Sequence, residues 1–270
     1  MEKDIDIIIY GATGFTGKLC VKYFQSLDTT VTWAMAGRNL TKLKKVAEDN
    51  QTKVEILIAD SDDESALDDL TARAKVILST TGPFHRYGSK LVASCIKNHA
   101  HYVDITGENF WVKDLIEKHH AEALAKGIRI IPSCGFDSIP SDLGTFFSAK
   151  AIGKPIKRIE SFHSYKGGAS GGTLETMFSM GELDLGDDLT DPFLLNPNDS
   201  YSNEQKQLSG DRVGIAKKPE IKAWSGPFIM ATANTRVVRR TEALLALRQE
   251  SYGADFTYQE HAFHKSLLSA

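Results

Sequence analysis

The stretch IIIYGATGFTGKL, residues 7–19, decides the fold that we predict for this chain. Its glycines Gly11, Gly14 and Gly17 stand three residues apart, directly behind a run of β-branched residues. A dinucleotide pyrophosphate needs this order of strand, glycines and helix, because the glycines admit the phosphates and the helix N-terminus offers backbone N–H groups. A plain strand-to-helix turn remains the alternative. A Walker phosphate loop is excluded, because Ala12 and Leu19 stand where it needs glycine and a hydroxyl residue.

Beyond this loop, the first half of the chain alternates short β-branched runs with longer amphipathic runs. Such alternation is typical of βαβ units that build a parallel sheet. It predicts strands over 5–10, 31–36, 54–59, 75–80, 101–105 and 128–132, and helices over 18–27, 40–49, 88–99 and 111–126. We therefore predict an α/β fold in which a Rossmann-type doubly wound parallel sheet occupies residues 1–150.

The pattern changes after about residue 150. Residues 155–165 alternate like a half-buried strand, and KGGASGGT at 166–173 is too rich in glycine for a helix or strand. This loop either closes over a substrate or serves as a flexible connection. The polar stretch 182–212 predicts a long exposed excursion, and the last residues show no element that would close a sheet. We predict that residues 151–270 form a second, incomplete α+β domain for substrate binding or dimerisation.

Composition excludes one class of function and indicates a compartment. The formal net charge is −3 over 270 residues and the basic residues do not cluster, so a nucleic-acid partner is not expected. Cys20, Cys95 and Cys134 lie far apart, which suits a reducing environment and not a disulfide framework. The first residues lack the apolar run of a signal peptide. These features predict a cytoplasmic protein.

The residues that follow the second and third strands predict which dinucleotide binds. Arg38 stands 38 − 17 = 21 residues beyond the third glycine, where the residue that reads the adenosine ribose is expected. An arginine there pairs with a 2′-phosphate, so it favours NADP over NAD; an ordinary surface arginine is the alternative. Asp60 has two open interpretations, a contact to the adenine amino group and a helix N-cap.

The fourth strand runs into STTGPFHRYG, residues 79–88, at the sheet edge where open α/β folds bind ligands. We expect this segment to run along the nicotinamide ribose. The predicted cofactor-binding residues are accordingly Gly11, Thr13, Gly14, Phe15, Thr16, Gly17, Arg38, Asn39, Asp60, Thr80, Thr81, Gly82 and Pro83.

Several motifs spread along the chain resemble one known family, the saccharopine dehydrogenase-like oxidoreductases, which include the trans-acting enoyl reductases. These motifs are GATGFTG (11–17), AGRN (36–39), TTGPFHRYG (80–88), HYVDITGE (101–108), CGFDSIPSDLG (134–144), GGASGGT (167–173) and ANTRVVRRTEALL (233–245). The resemblance implies a Rossmann domain that binds NAD(P), an α+β substrate domain and, in the enoyl reductases, a role in lipid or glycolipid synthesis. Peripheral membrane association and a homodimer are further expectations. Family chains are longer than this one.

A reductase of this kind needs a proton donor close to the hydride acceptor. The motifs place Tyr87, Asp137 and Ser138 near the relevant strand ends, and these are weak catalytic candidates. Asp137 or Ser138 is alternatively the cap of a helix that Pro140 opens.

No metal is predicted, because Cys95, His99 and His101 lack a fourth ligand. We therefore predict an NADP-dependent oxidoreductase that transfers hydride to a carbonyl, imine or enoyl group of an unidentified small-molecule or lipid-like substrate. The alternative is a non-catalytic NADP-binding sensor or scaffold, and a third hypothesis is a piece of a larger enzyme.

Overall fold

The computed structural model describes residues 3–164, 167–168, 170–197 and 201–267. Contacts divide the chain into two compact units. The first consists of Met1–Thr106, Asp114–Cys134 and Ala169–Leu183, and the second of Gly107–Lys113, Gly135–Gly168 and Asp184–Ala270. This division differs from a single boundary at residue 150, because the chain passes repeatedly between the units.

The secondary structure, numbered in chain order, consists of the following elements. The strands are β1 Ile5–Tyr10, β2 Trp33–Gly37, β3 Ile56–Ile58, β4 Ala74–Ser79, β5 His101–Asp104, β6 Ile130–Ile131, β7 Arg158–His163, β8 Ala216–Lys218, β9 Ala223–Gly226 and β10 Thr257–His264. The helices are α1 Phe15–Ser26, α2 Leu40–Asp49, α3 Glu64–Arg73, α4 Phe84–Tyr87, α5 Ser89–Lys97, α6 Asn109–Ala125, α7 Ile139–Ile152, α8 Gly171–Met180, α9 Asn203–Ser209 and α10 Ala231–Ala246.

The first unit is built on a six-stranded sheet with the order β3-β2-β1-β4-β5-β6. Every pair of neighbouring strands is parallel. This is the strand order of the Rossmann fold, in which the chain reverses direction across the sheet between β1 and β4. The predicted α/β fold class is therefore confirmed, and the first loop after β1 lies at the reversal point.

Apolar side chains hold the first two helices to this sheet. Ile9 of β1 and Met35 of β2 pack with Val21, Leu43 and Val46 of α1 and α2 in one buried cluster. Asn39 begins α2 by accepting a hydrogen bond from the Lys42 N–H at 2.9 Å. Its side chain thus satisfies one of the donors that a helix start leaves free. Packing and capping together fix the loops that follow β1 and β2.

The second unit contains a four-stranded sheet with the order β7-β10-β9-β8. β10 pairs in parallel with β7 and antiparallel with β9, so it is an inner strand. The expectation that the last residues hold no element to close a sheet is therefore wrong. The alternation in residues 155–165 correctly predicted β7.

The described residues of the stretch 182–212 are largely exposed, as its polar composition predicts, but the stretch also has a buried part. Leu194 and Leu195 are buried, and Ser209 at the end of α9 is buried as well. Arginines of α10 hold this stretch by donating to its main-chain carbonyls: Arg236 to Leu189 and Asp191, Arg239 to Pro192, and Arg240 to Leu195. Side chains distant in sequence thus order a segment whose own composition is polar.

Among the described residues, no helix combines the length and the apolar character that crossing a bilayer requires.

Candidate functional site

Gly11 occupies a backbone conformation that excludes other residues. Its φ is +86°, in the region that favours glycine. A Cβ at this position would lie 2.3 Å from Thr81 Oγ1 and 3.1 Å from the Thr81 backbone nitrogen. The loop after β1 therefore touches the loop after β4, and the fold itself requires glycine here.

Gly17 is required by the fold for a different reason, since it sits where α1 approaches the loop most closely. A Cβ on Gly17 would lie 2.2 Å from the Gly11 carbonyl oxygen and 2.8 Å from Ala12 Cα. Both atoms belong to the backbone, so no side-chain movement could relieve the clash. Gly17 accordingly secures the packing of the helix against the loop.

Gly14 has no such structural requirement. It is the N-cap of α1 with φ −71° and ψ 171°, a conformation open to any residue. A Cβ at Gly14 would approach only the Gly11 carbonyl oxygen, at 3.4 Å, which is an ordinary contact. The loop would therefore hold together with a side chain at Gly14. A ligand that approaches the start of α1 gives a reason for glycine at this position.

The end of β4 braces the glycine loop. The Thr80 hydroxyl donates to the carbonyls of Tyr10 and Gly11, each at 3.2 Å. Thr81 Oγ1 is buried and has no hydrogen-bond partner among the described residues. Thr80 thus has a structural role, while Thr81 keeps hydrogen-bonding capacity beside the loop.

A cavity of about 290 Å³ opens against these loops. Its wall is made of Tyr10, Gly11, Thr13, Gly14, Phe15, Thr16, Gly37, Arg38, Ser61, Thr80, Thr81, Gly82, Tyr87, Ser170, Gly172 and Glu175. The structure thereby brings together most of the predicted cofactor residues. Tyr10, Gly37, Ser61, Ser170, Gly172 and Glu175 were missed by the sequence reasoning.

Four predicted cofactor residues do not line this cavity. Gly17 packs α1 against the loop, Asn39 caps α2, and Pro83 is the N-cap of α4. Asp60 accepts the Asp62 N–H at 3.0 Å. The N-cap of α3 is Asp63, which accepts from Ala66 N–H at 3.0 Å, so the capping interpretation of Asp60 is wrong.

The other two catalytic candidates, Asp137 and Ser138, lie in the second unit within a buried polar network. The Ser138 hydroxyl donates to Asn234 Oδ1 at 2.8 Å, and Asn234 Nδ2 donates to the Asp137 carbonyl at 2.9 Å. Ser138 is the N-cap of α7, but its hydroxyl makes no capping hydrogen bond. Ser138 therefore serves the network and not the helix start.

Glu260 lies at the centre of the same network and is almost completely buried. It accepts from Tyr258 Oη at 2.7 Å and from Asn234 Nδ2 at 3.0 Å. Burial alone raises the pKa of this carboxyl, but hydrogen bonds from His163, Ser141, Tyr258 and Asn234 outweigh it and hold the pKa below its ordinary value. The Glu260 carboxylate is therefore negatively charged, and the hydrogen bonds of the network stabilise that charge.

Asp104, at the end of β5, orders the loops around it. Its buried carboxylate accepts from Tyr102 Oη at 2.9 Å, from Thr106 N–H at 2.9 Å and from Ser133 N–H at 3.0 Å. A carboxylate so bonded joins β5 to the segment after β6. Its observed contacts give it a structural role.

No group of three His, Cys, Asp or Glu side chains in the described part of the chain could hold a metal. His101 Nδ1 accepts the Arg129 N–H at 3.0 Å, and burial lowers the pKa of this imidazole. Its position is explained by that hydrogen bond.

A larger cavity of about 850 Å³ lies in the second unit. Four basic and four acidic side chains contribute to its wall, so the charges balance: Lys157, Arg158, Arg212 and Arg239 with Glu160, Glu204, Glu242 and Asp255. Arg239 is buried and donates to the carbonyls of Pro192 and Tyr258. Because two of its donors hold the main chain, Arg239 supports the wall of this cavity.

Comparison with known proteins gives three findings. Residues 7–131 match the model of the saccharopine dehydrogenase NADP binding domain. A Mycobacterium tuberculosis protein assigned to the trans-acting enoyl reductases is 37% identical over 275 residues, covering 96% of this chain and 65% of that protein. The trans-acting enoyl reductase of Mycobacterium leprae is 34% identical over 280 residues, with the same coverage. This chain thus spans about two thirds of these relatives.

A solved structure is similar over part of the chain. It is the apo saccharopine dehydrogenase (L-Glu forming) of Saccharomyces cerevisiae, with a TM-score of 0.48 and 20% identity over 58% of this chain and 34% of that one.

Proposed function

Residues 7–131 belong to the saccharopine dehydrogenase NADP-binding domain family, and from that premise we propose that the protein is an NADP-dependent oxidoreductase. It transfers hydride to a carbonyl, imine or enoyl group. The names of its relatives favour the enoyl group, and the lipid-like substrate follows from the family resemblance.

The observation that carries this proposal is the contrast among the three glycines. Gly11 and Gly17 are required by the fold, whereas Gly14 stands at the start of α1 with room for a side chain. The first turn of a helix leaves N–H groups without intrahelical acceptors, and these groups favour an anion. A pyrophosphate next to Gly14 would occupy the room beside this glycine and accept hydrogen bonds from the N–H groups of the first turn. The residues present therefore fit a dinucleotide.

In this proposal, different residues of the cavity wall bind different parts of the cofactor. The loop after β1 holds the pyrophosphate, and Arg38 pairs with the 2′-phosphate through its planar fork. The Thr81 hydroxyl, which lacks a described partner, bonds a polar group of the cofactor. Bound NADPH supplies the hydride, and the chain supplies orientation and a proton.

Tyr87 is the candidate proton donor that the cavity favours. It is the one member of the predicted set Tyr87, Asp137 and Ser138 that lines the cavity, and its phenol is half-buried. Ser138 and the Asp137 carbonyl are engaged with Asn234. In this proposal Tyr87 therefore holds the proton that completes reduction.

Cellular location and assembly also belong to the proposal. Cys20, Cys95 and Cys134, all in the described part of the chain, form no disulfide, which fits a reducing compartment such as the cytoplasm. A homodimer and peripheral association with a membrane follow from the family resemblance alone and stay predictions.

A substitution at Gly14 tests the proposal directly. Gly14→Val should abolish NADPH binding, measured by calorimetry, because the side chain occupies the space of the pyrophosphate. The melting temperature should change little, since a Cβ at Gly14 would meet only the Gly11 carbonyl oxygen, at the ordinary contact distance of 3.4 Å. Gly144→Val, at a helical glycine whose Cβ meets nothing within 4 Å, is the matched control.

Normal NADPH affinity in a folded Gly14→Val protein would show that the loop is only a turn. A wild-type protein that binds NADPH but oxidises it with no carbonyl, imine or enoyl acceptor would favour the non-catalytic sensor or scaffold.

A further inference from the structure

Helix α8 follows β7 in sequence, yet it belongs to the same compact unit as the dinucleotide loop. Ser170, Gly172 and Glu175 from its first turns line the cavity beside the glycine loop. Near the C-terminal end of α8, Glu182 forms an ion pair with Arg86 of α4 at 2.8 Å. The segment around α8 therefore contacts the helix that also carries Tyr87, within the first unit.

Packing within the protein does not require the glycines around the start of α8. A Cβ at Gly168 or Gly171 would meet nothing within 4 Å, and one at Gly172 would meet only Ser170 Oγ at 3.9 Å. None of these three has the positive φ that would require glycine. Glycine in the first turn of a helix disfavours that helix relative to alanine. The fold alone therefore does not explain these glycines.

Gly172 shares its two properties with Gly14. Each glycine lines the cavity, and at each the protein leaves room for a Cβ. In a cavity wall, a glycine lets a ligand approach the backbone more closely than a residue with a side chain would. Gly168 and Gly171 do not line the cavity, which gives Gly172 a matched neighbour for comparison.

We propose that α8 is a wall of the dinucleotide site, with Gly172 admitting the bound cofactor against the helix backbone and Glu175 accepting hydrogen bonds from it. This inference rests on the proposed function. A carboxylate accepts hydrogen bonds and repels phosphate, so Glu175 takes hydroxyl or amide hydrogens of the cofactor. Arg38 attracts the 2′-phosphate from the same cavity. Glu175 thus binds hydrogen-bond donors of the cofactor, whereas Arg38 binds its negatively charged phosphate.

The alternative is that the glycine-rich segment is only a flexible connection between the two units. A connection would have no reason to contribute three residues to the cavity or to pair Glu182 with Arg86. It would also leave NADPH binding indifferent to side chains at Gly172. The two interpretations therefore differ in one measurable quantity.

The test compares two adjacent glycines of the same helical turn. Gly172→Leu should weaken NADPH binding by about tenfold or more, which corresponds to about 1.4 kcal/mol, whereas Gly171→Leu should stay within about twofold of wild type. Calorimetry gives the affinities, and thermal unfolding checks that both variants fold. Glu175→Gln, at an exposed side chain, is a second variant that should fold and weaken NADPH binding severalfold.

Hydrogen exchange adds a readout that needs no substitution. NADPH should slow exchange at amides of 174–180 in α8 and leave α9, in the second unit, unchanged. Equal affinities of both leucine variants and wild type, with no slowing in α8, would overturn the inference while Gly14→Val still tests the proposed function. A wild-type chain that binds no NADPH would overturn both.

Discussion

Adding one methyl group has different consequences at the three glycines of the first loop. At Gly11 and Gly17 the new carbon would meet atoms at 2.3 and 2.2 Å, and at Gly14 the nearest atom lies at 3.4 Å. The sequence pattern predicts the loop but cannot rank its glycines, because their spacing is identical. The ranking depends on Thr81, which approaches Gly11 from outside the motif, and on how α1 folds back over Gly11 and Ala12, which only the three-dimensional structure shows.

Arg38 should decide which dinucleotide binds. The wild-type protein should bind NADPH more tightly than NADH, and Arg38→Ala should remove at least about tenfold of that preference, because a charge-assisted pair with the 2′-phosphate is lost. Titration of both cofactors against both proteins measures this. Lys18→Ala, at the exposed start of α1 and outside the cavity wall, is the control. Equal wild-type affinities for the two cofactors would contradict the assignment of Arg38.

Asp142 should make stability depend on pH. Burial raises the pKa of its carboxyl from 3.8 to about 6, although Thr241 donates a hydrogen bond that lowers it. The folded state therefore holds a proton that the unfolded state has released between these values, so stability falls as pH rises through this window. Asp142→Asn should be more stable than wild type at pH 7 by up to ~3 kcal/mol, and the difference should vanish below pH 4.

Urea unfolding between pH 3.5 and 8 measures this difference. Asp28→Asn, at an exposed loop position, is the control. A constant difference between Asp142→Asn and wild type across the range would mean that folding does not raise the pKa of Asp142.

At the scale of elements, local patterns predicted the strands of the first sheet better than the rest. All six strands form, although β3 and β6 are shorter than expected. The buried part of the segment before α10, at Leu194 and Leu195, was not predicted, because the arginines that bind its carbonyls lie 40 or more residues further along the chain. No window of local sequence contains that interaction. α8 in the cavity wall was unpredictable for the same reason.

Among these arginines, Arg236 makes the most hydrogen bonds. It is buried, donates to the carbonyls of Leu189 and Asp191, and forms a forked ion pair with Asp211. Arg236→Met should reduce the free energy of unfolding by roughly 3–5 kcal/mol, because it leaves the Asp211 carboxylate and two carbonyls without their donor. Denaturant titration measures the loss. Arg248→Met, at an exposed position, should cost less than about 0.5 kcal/mol.

If Arg236→Met lowers the free energy of unfolding by less than about 1 kcal/mol, water replaces the arginine as a hydrogen-bond donor to this segment.

At the scale of the whole molecule, the two units should differ in how their amides exchange. Amides of β1 and β4 lie inside the six-stranded sheet and should be the most protected. Residues 187–196 should exchange more slowly than 211–215, because Asp191 N–H bonds Asp187 O at 2.9 Å and Asn196 N–H bonds Phe193 O at 2.8 Å, whereas Val213 is 86% exposed. Exchange followed by mass spectrometry checks this order. Equal exchange rates in 187–196 and 211–215 would contradict the role of the α10 arginines in ordering residues 187–196.

The return of the chain to its first unit has a consequence for protein synthesis. The sixth strand of the sheet ends at Ile131, but the first unit ends at Leu183, which leaves the ribosome 183 − 131 = 52 residues later. At about 5–20 residues per second this delay lasts roughly 3–10 s. A nascent chain therefore displays the glycine loop and Arg38 for several seconds before Ser170, Gly172 and Glu175 can join them. We expect that cofactor captured during translation first meets a groove that is still open on the side of α8.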